Sequence, residues 1–149
     1  MTHFCDIYFP KKNIIVPIFN VEAYIERCVV SLMEQTLGDV EYIFVDDASP
    51  DNSVRILQEV IKRYPARQSN VKIISHEENR GLSAARNSGL SIARGEYIYH
   101  CDSDDYVKFN MLELLYNKAK ERDAEIVWCD FTMDYGDRIE YCKIFELNT

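Results

Sequence analysis

Short, nearly continuous apolar runs recur along this chain, and a segment with helical spacing follows each of the first four. A strand that is apolar at almost every position must be covered on both faces, unlike the alternating strand of a one-sided sheet. Parallel neighbours also need crossover connections, which intervening helices provide. The expected fold class is therefore α/β, a mainly parallel sheet with helices on both faces.

Ile14-Ile15-Val16-Pro17-Ile18-Phe19 reads as the first strand, and Asn20 as the cap of a helix carrying Val21, Tyr24, Ile25, Cys28, Val29, Leu32 and Met33 on one stripe. Tyr42 to Val45 gives a second strand. Ser49 with Pro50 is expected to open the next helix and Pro65 to close it, with Val54, Leu57, Val60, Ile61 and Tyr64 inward. Val71 to Ile74 is a third strand. The helix predicted over 82–93 has a nearly bare face of Ala84, Ala85, Ser88 and Gly89, so its backbone can approach a sheet or a ligand closely. A fourth strand is expected at Tyr97 to Cys101, a helix over 111–122 and a fifth strand at Ile126 to Cys129. Asp134-Tyr135-Gly136-Asp137, followed by alternating Ile139, Tyr141 and Ile144, predicts a C-terminal hairpin.

Ligands of such sheets bind beyond the strand carboxyl ends. Asp46-Asp47 and the cluster Asp102-Ser103-Asp104-Asp105 both fall there. Carboxylates crowded this closely repel, and a hard cation with oxygen ligands, Mg²⁺ or Mn²⁺, would relieve the repulsion. Helix capping is the competing reading of the same residues. Two readings also stand for Arg86, an anion contact or a surface ion pair, and for Asp47, a ligand contact or a turn former. His100 is expected to be a packed or hydrogen-bonded imidazole, and His3 and His76 carry no signal.

The 149 residues, 47% of them hydrophobic, suit one globular domain. A net charge of -8 argues against a nucleic-acid surface, because phosphate backbones are gripped by clustered Lys and Arg. It also means that a phosphate ligand needs a local cation. The five cysteines show neither metal spacing nor an even count, which points to a reduced, cytosolic setting, with Cys28, Cys101 and Cys129 acting as small hydrophobes. No spanning-length apolar run occurs, so the domain is expected to be soluble.

Four stretches together resemble the family 2 glycosyltransferases, which use nucleotide-sugar donors on a Rossmann-like fold called GT-A. Val16 to Glu22 is similar to the family's opening strand and turn, and Phe44-Val45-Asp46-Asp47-Ala48-Ser49 to its D-D-G-S. Asn79-Arg80-Gly81 through Ala85-Arg86-Asn87-Ser88-Gly89 resembles its N-x-G…A-R-N-x-G, and Asp102-Ser103-Asp104-Asp105 its D-x-D. The likeness runs from about Ile14 to Tyr106. It implies that Asp47 contacts the nucleotide base, that Pro17, Phe19 and Glu22 line base and ribose, and that Gly81 and Ser103 belong to the donor site. Arg86 would then hold the nucleotide or its phosphates, with Asp102 on the ribose and sugar side and Asp104, with Asp102, on a Mn²⁺ or Mg²⁺ ion. The reaction implied is transfer from a UDP-linked sugar to a saccharide or lipid-linked acceptor with inversion, at the inner face of the membrane, by a peripherally associated protein that can form homo-oligomers.

Residues 1–12 are then an N-terminal extension and residues 13–149 the GT-A domain, without the family's full acceptor side. Phe19 stands where Tyr is common, and Ala48 where Gly is usual, which is tolerable only if the φ of Ala48 is negative. No general base can be named, because Asp130, Asp134 and Asp137 read as turn formers. The rival readings are a non-catalytic nucleotide-sugar-binding module and a Mg²⁺-binding phosphoacceptor domain. The latter would need an acidic pair after the first strand, where this chain has Phe19-Asn20.

Overall fold

The computed structural model describes residues 12–143. Four strands, β1 (Lys12–Ile18), β2 (Val40–Asp46), β3 (Val71–Ser75) and β4 (Tyr97–His100), form one parallel sheet in the order β3-β2-β1-β4. Because β1 and β2 are central, every residue from Asn13 to Ile18 and from Val40 to Val45 is buried, which is why both read as unbroken apolar runs.

The two faces of β1 separate by parity. Ile14, Val16 and Ile18 join the main core with α1 (Ile25–Met33) and α2 (Ser53–Lys62), whereas Ile15 packs with Ile43, Val45 and Ala85 of α4 (Leu82–Ile92) on the opposite face. Leu112 of α5 (Met111–Arg122) adds to the main core. From α1, Ile25, Cys28, Val29, Leu32 and Met33 are buried, each aliphatic side chain contributing on the order of 1.5–3 kcal/mol. The bare face of α4 meets the sheet: a Cβ on Gly89 would sit 2.5 Å from Ile15 Cγ2 and 3.3 Å from Val45 Cγ2.

Several boundaries differ from expectation, each for a local reason. Asn20 does not cap a helix. Its φ is +54° and its N–H donates to Ser49 Oγ at 2.8 Å, so the chain turns there and α1 begins at Ile25. Nor do Ser49 and Pro50 open α2, because Asp51 Oδ1 accepts from both Ser49 Oγ (2.7 Å) and the Ser53 N–H (3.0 Å), holding residues 49–53 as a turn before the helix. Pro65 opens a further short helix, α3 (Pro65–Gln68), at the position where its missing N–H costs nothing. Ala48 has φ +57° rather than a negative value.

The expected fifth strand is absent. Residues 126–130 have no strand pairing, and Ile126 and Trp128 are 67% and 66% exposed, since an apolar run becomes a strand only where a hydrogen-bonding neighbour is available. Cys129 is likewise exposed rather than a core residue. The C-terminal hairpin is present as β5 (Phe131–Asp134) paired antiparallel with β6 (Ile139–Cys142). Ile144, His3 and most of the expected N-terminal extension lie outside the described residues. No helix among the described residues is long and apolar enough to cross a membrane.

Candidate functional site

Since all four strands run in parallel, their carboxyl ends share one edge, and backbone bonds continue the sheet just past them. The Asp47 N–H donates to Ile18 O (2.9 Å), the His76 N–H to Asp46 O (2.8 Å) and the Cys101 N–H to Ile15 O (3.0 Å). These bonds bring Phe19, Asp47, His76 and Asp102 to a common rim. A cavity of about 340 Å³ opens there, lined by Pro17, Phe19, Asp47, Gly81, Asp102 and Asp104 together with Ser103, Val21, Asn79, Leu82 and Ala85.

Within the first acidic pair the two residues do different work. Asp46 Oδ1 accepts the Ser49 N–H at 2.8 Å and so makes the turn. Asp47 is only 2% exposed. Its Oδ1 accepts from His76 Nδ1 (2.6 Å) and the Arg80 N–H (2.9 Å), and its Oδ2 accepts the Gly81 N–H (2.7 Å). Burial pushes this carboxyl up, but the bonds from His76, Arg80 and Gly81 outweigh it and hold it below its ordinary value. His76 passes the constraint on, because its Nε2 lies 2.8 Å from Ser88 Oγ on α4. With Nδ1–H donating to Asp47 and Nε2 accepting the Ser88 O–H, the neutral ring satisfies both contacts. His76 thus belongs to the site although its residue type alone gives no signal; its position one residue past β3, level with Asp47, is what marks it.

Gly81, with φ +86°, lies in the left-handed region that favours glycine, and its N–H also meets Asn79 Oδ1 at 3.0 Å. This closes the 79–81 loop against Asp47. Glu22 takes no part in the cavity lining. Its Oε2 accepts the Asn52 N–H at 2.9 Å and Asn52 Nδ2 at 3.0 Å, so it ties the first loop to the start of α2.

At the second acidic cluster, Arg86 Nη2 donates to Asp102 Oδ1 at 2.5 Å, which joins α4 to the end of β4. The Arg86 Nε is buried without a hydrogen-bond partner among the described residues. Arg86 is therefore a partner of Asp102, one step behind the cavity wall. Asp104 is exposed and has no ion pair among the described residues. Partial burial and the nearby charges of Asp104 and Asp102 raise Asp105 above its ordinary value, with Arg27 opposing. His100 is exposed at the strand end rather than packed; the partial desolvation that remains there, followed by the charge of Arg86, lowers it, against Asp102. Among the described residues no group of three or more His, Cys, Asp or Glu side chains is placed to enclose a metal ion.

Comparison with known proteins bears on the family and the fold. The profile of the glycosyl transferase family 2 matches residues 13–144. A curated relative, the uncharacterized glycosyltransferase EpsJ of Bacillus subtilis, is 43% identical over 132 residues, covering 89% of this chain and 37% of its own. Among solved structures, S. aureus TarS in complex with UDP-GlcNAc superposes with a TM-score of 0.69 at 31% identity, over 76% of this chain and 32% of that one. The mannosyltransferase PcManGT of Pyrobaculum calidifontis, in complex with GDP-Man and Mn²⁺, gives a TM-score of 0.60 at 27% identity, over 67% of this chain and 29% of that one. The chain spans about a third of the length of the curated relatives it matches. With four motifs in order, a parallel sheet of GT-A type and a profile match over nearly its whole length, the chain belongs to glycosyl transferase family 2.

Proposed function

We propose that this chain forms the donor-binding part of an enzyme that moves a sugar from a nucleoside diphosphate, with uridine diphosphate the best fit, to a saccharide or lipid-linked acceptor with inversion. One observation carries the reading: Phe19, Asp47, Gly81, Asp102, Ser103 and Asp104 line a single cavity at the strand carboxyl ends. In this reading Pro17 and Phe19 form the wall against the base. Asp47 Oδ2, which among the described residues accepts the Gly81 N–H alone, keeps a lone pair for a base N–H of the kind that uracil offers. Arg86 orients Asp102 and offsets its charge beside the diphosphate.

The donor set fits a divalent ion. Asp104 and the oxygen of Asp102 not held by Arg86 would hold it, the remaining ligands coming from substrate phosphate and water, as is usual for Mg²⁺ and its relatives. Bound there, the ion supplies Lewis-acid stabilisation of the leaving diphosphate. PcManGT with GDP-Man and Mn²⁺ supports divalent metal use in this kind of site.

Calorimetry with UDP in Mg²⁺, in Mn²⁺ and in chelator tests the reading. Binding is expected with either ion and should fall at least tenfold in chelator, because unscreened carboxylates repel the diphosphate. Asp104→Asn should lose that metal dependence. UDP binding of equal strength in chelator removes the metal from the proposal, and no UDP binding in any condition removes the donor site.

A further inference from the structure

The D-x-D loop is held along its length by one helix. On α1, Cys28 Sγ lies 3.7 Å from Asp102 O, Ser31 Oγ accepts the Val107 N–H at 3.1 Å, and the Arg27 guanidinium stands over the Tyr106 ring at 4.1 Å. The C-terminal hairpin forms a sheet of its own, so side chains and not ladder bonds tie it to this loop. Asp134 is such a tie. It accepts Tyr106 Oη–H at 2.9 Å and meets Arg27 Nη1 at 3.5 Å, while the Gly136 N–H, donating at 2.9 Å, fixes it in the hairpin turn. Arg27, Tyr106 and Asp134 therefore touch one another pairwise. We propose that this triangle braces the donor site: the three are positioning residues that hold the loop carrying Asp104 and so raise the affinity for ion and diphosphate, an inference that rests on the donor reading above.

Asp104 depends on such a brace. It is exposed and makes no ion pair among the described residues, so the backbone sets where its carboxylate stands. That backbone is a tight turn, closed by the Asp105 N–H to Asp102 O at 3.1 Å, and Tyr106 is the first residue beyond it. Metal–oxygen bonds to Mg²⁺ tolerate little departure from about 2.1 Å, so a loop that wanders by ~1 Å loses its ligand.

Fold stability is the competing account of the triangle. It fits less well, because Arg27 and Asp134 keep 52% and 25% of their side-chain surface exposed, and ion pairs so open to water add little to stability. What the triangle removes is freedom. A loop already ordered has less to lose when ion and diphosphate bind. The coupling is reciprocal, so the bound ion must tighten the hairpin's hold by the same factor.

The test uses the 149-residue chain with Mn²⁺ and UDP, followed by calorimetry and water-proton relaxation, with unfolding midpoints taken on the same samples. Tyr106→Phe keeps the ring beneath Arg27 and the net charge but loses the bond to Asp134, and should weaken Mn²⁺–UDP binding about threefold at an unchanged midpoint. Arg27→Gln breaks two sides of the triangle and should weaken it about tenfold, whereas Arg27→Lys, which keeps a cation over the ring, should recover part of the loss. Mn²⁺ alone separates the brace from simple charge. Removing a cation beside Asp102, Asp104 and Asp105 would by itself tighten the ion, so weaker Mn²⁺ binding by Arg27→Gln reports displaced ligands. Hydrogen exchange gives the reciprocal reading: Mn²⁺–UDP should slow the amides of residues 131–142 in the unaltered chain and not in Arg27→Gln. Unchanged Mn²⁺–UDP affinity in both Tyr106→Phe and Arg27→Gln, tighter Mn²⁺ in Arg27→Gln, or losses matched by lower midpoints would each overturn the brace and leave the donor reading standing. No Mn²⁺–UDP binding by the unaltered chain would remove the donor reading and the brace with it.

Discussion

Asp47 is the residue at which local and tertiary demands meet. A carboxylate with four acceptor positions that takes three protein donors is held in one orientation, and a group already immobilised loses little further freedom when a base binds. His76 is the donor that can be removed without touching the backbone. His76→Leu should weaken UDP binding about tenfold but leave inorganic pyrophosphate with Mg²⁺ unaffected, and His76→Gln, which keeps an N–H, should recover part of the loss. Equal losses for both ligands, measured by calorimetry, would mean that His76 only supports the fold. The pH dependence has a fixed sign. Because the folded carboxyl lies below its ordinary 3.8, its contribution to stability is complete above that value and is lost as pH falls through the lower folded value. Asp47→Asn should therefore flatten the acid side of a stability profile taken from about pH 5 to pH 3. Of this network Asp47 and Gly81 were marked by the resemblance but His76 was not, because a histidine's role depends on which strand end lies beside its own.

At the scale of the element, legibility followed burial. The unbroken apolar runs of β1 and β2 and the small-residue face of α4 state their surroundings directly, since two-sided burial and close helix approach each demand a residue type. Ile126 to Cys129 has the same composition as a buried strand, but pairing is a property of how a run is seated and not of the run itself, and this one is not seated against the open edge of β4. The two turns failed for another reason: Asn20, Ser49 and Pro50 are good helix starters locally, and the cross-loop bonds through Ser49, Asp51 and Glu22 override that preference. Asp51 is the centre of that clamp. Burial raises its carboxyl, but hydrogen bonds from Ser53, Ser49 and Glu22 outweigh this and bring it to about 2. Two substitutions test the elements in opposite directions. Ala48→Gly should raise stability by about 0.5–1 kcal/mol, because left-handed backbone strains a Cβ and not a glycine. Gly89→Ala should lower it by about 1–3 kcal/mol, since the new methyl group would meet Ile15 in a closed core. Denaturant midpoints at constant slope would measure both, and a neutral Gly89→Ala would show that α4 can lift from the sheet.

For the molecule as a whole, the outer edge of β4 decides behaviour in solution. Among the described residues β4 pairs only with β1, and Ile98 of β4 is partly exposed while Ile126 and Trp128 are largely so. A free strand edge beside apolar surface favours pairing with another copy. The charge of -8 opposes it, because two copies repel at low ionic strength. Which term wins can be set by salt: screening shortens the reach of the repulsion to about 8 Å near 0.15 M, whereas apolar contact is not weakened. The chain is therefore expected to be mainly monomeric in dilute buffer without salt and to associate as salt is raised, the reverse of an assembly held by ion pairs. Trp128 is the sole tryptophan, so its emission reports on this surface directly. Sedimentation velocity should show the larger species growing with salt as the emission moves to the blue, and Trp128→Glu should suppress the growth by placing a charge in the contact. Association that weakens with salt, or that proceeds with Trp128 emission unchanged, would put the contact elsewhere on the molecule.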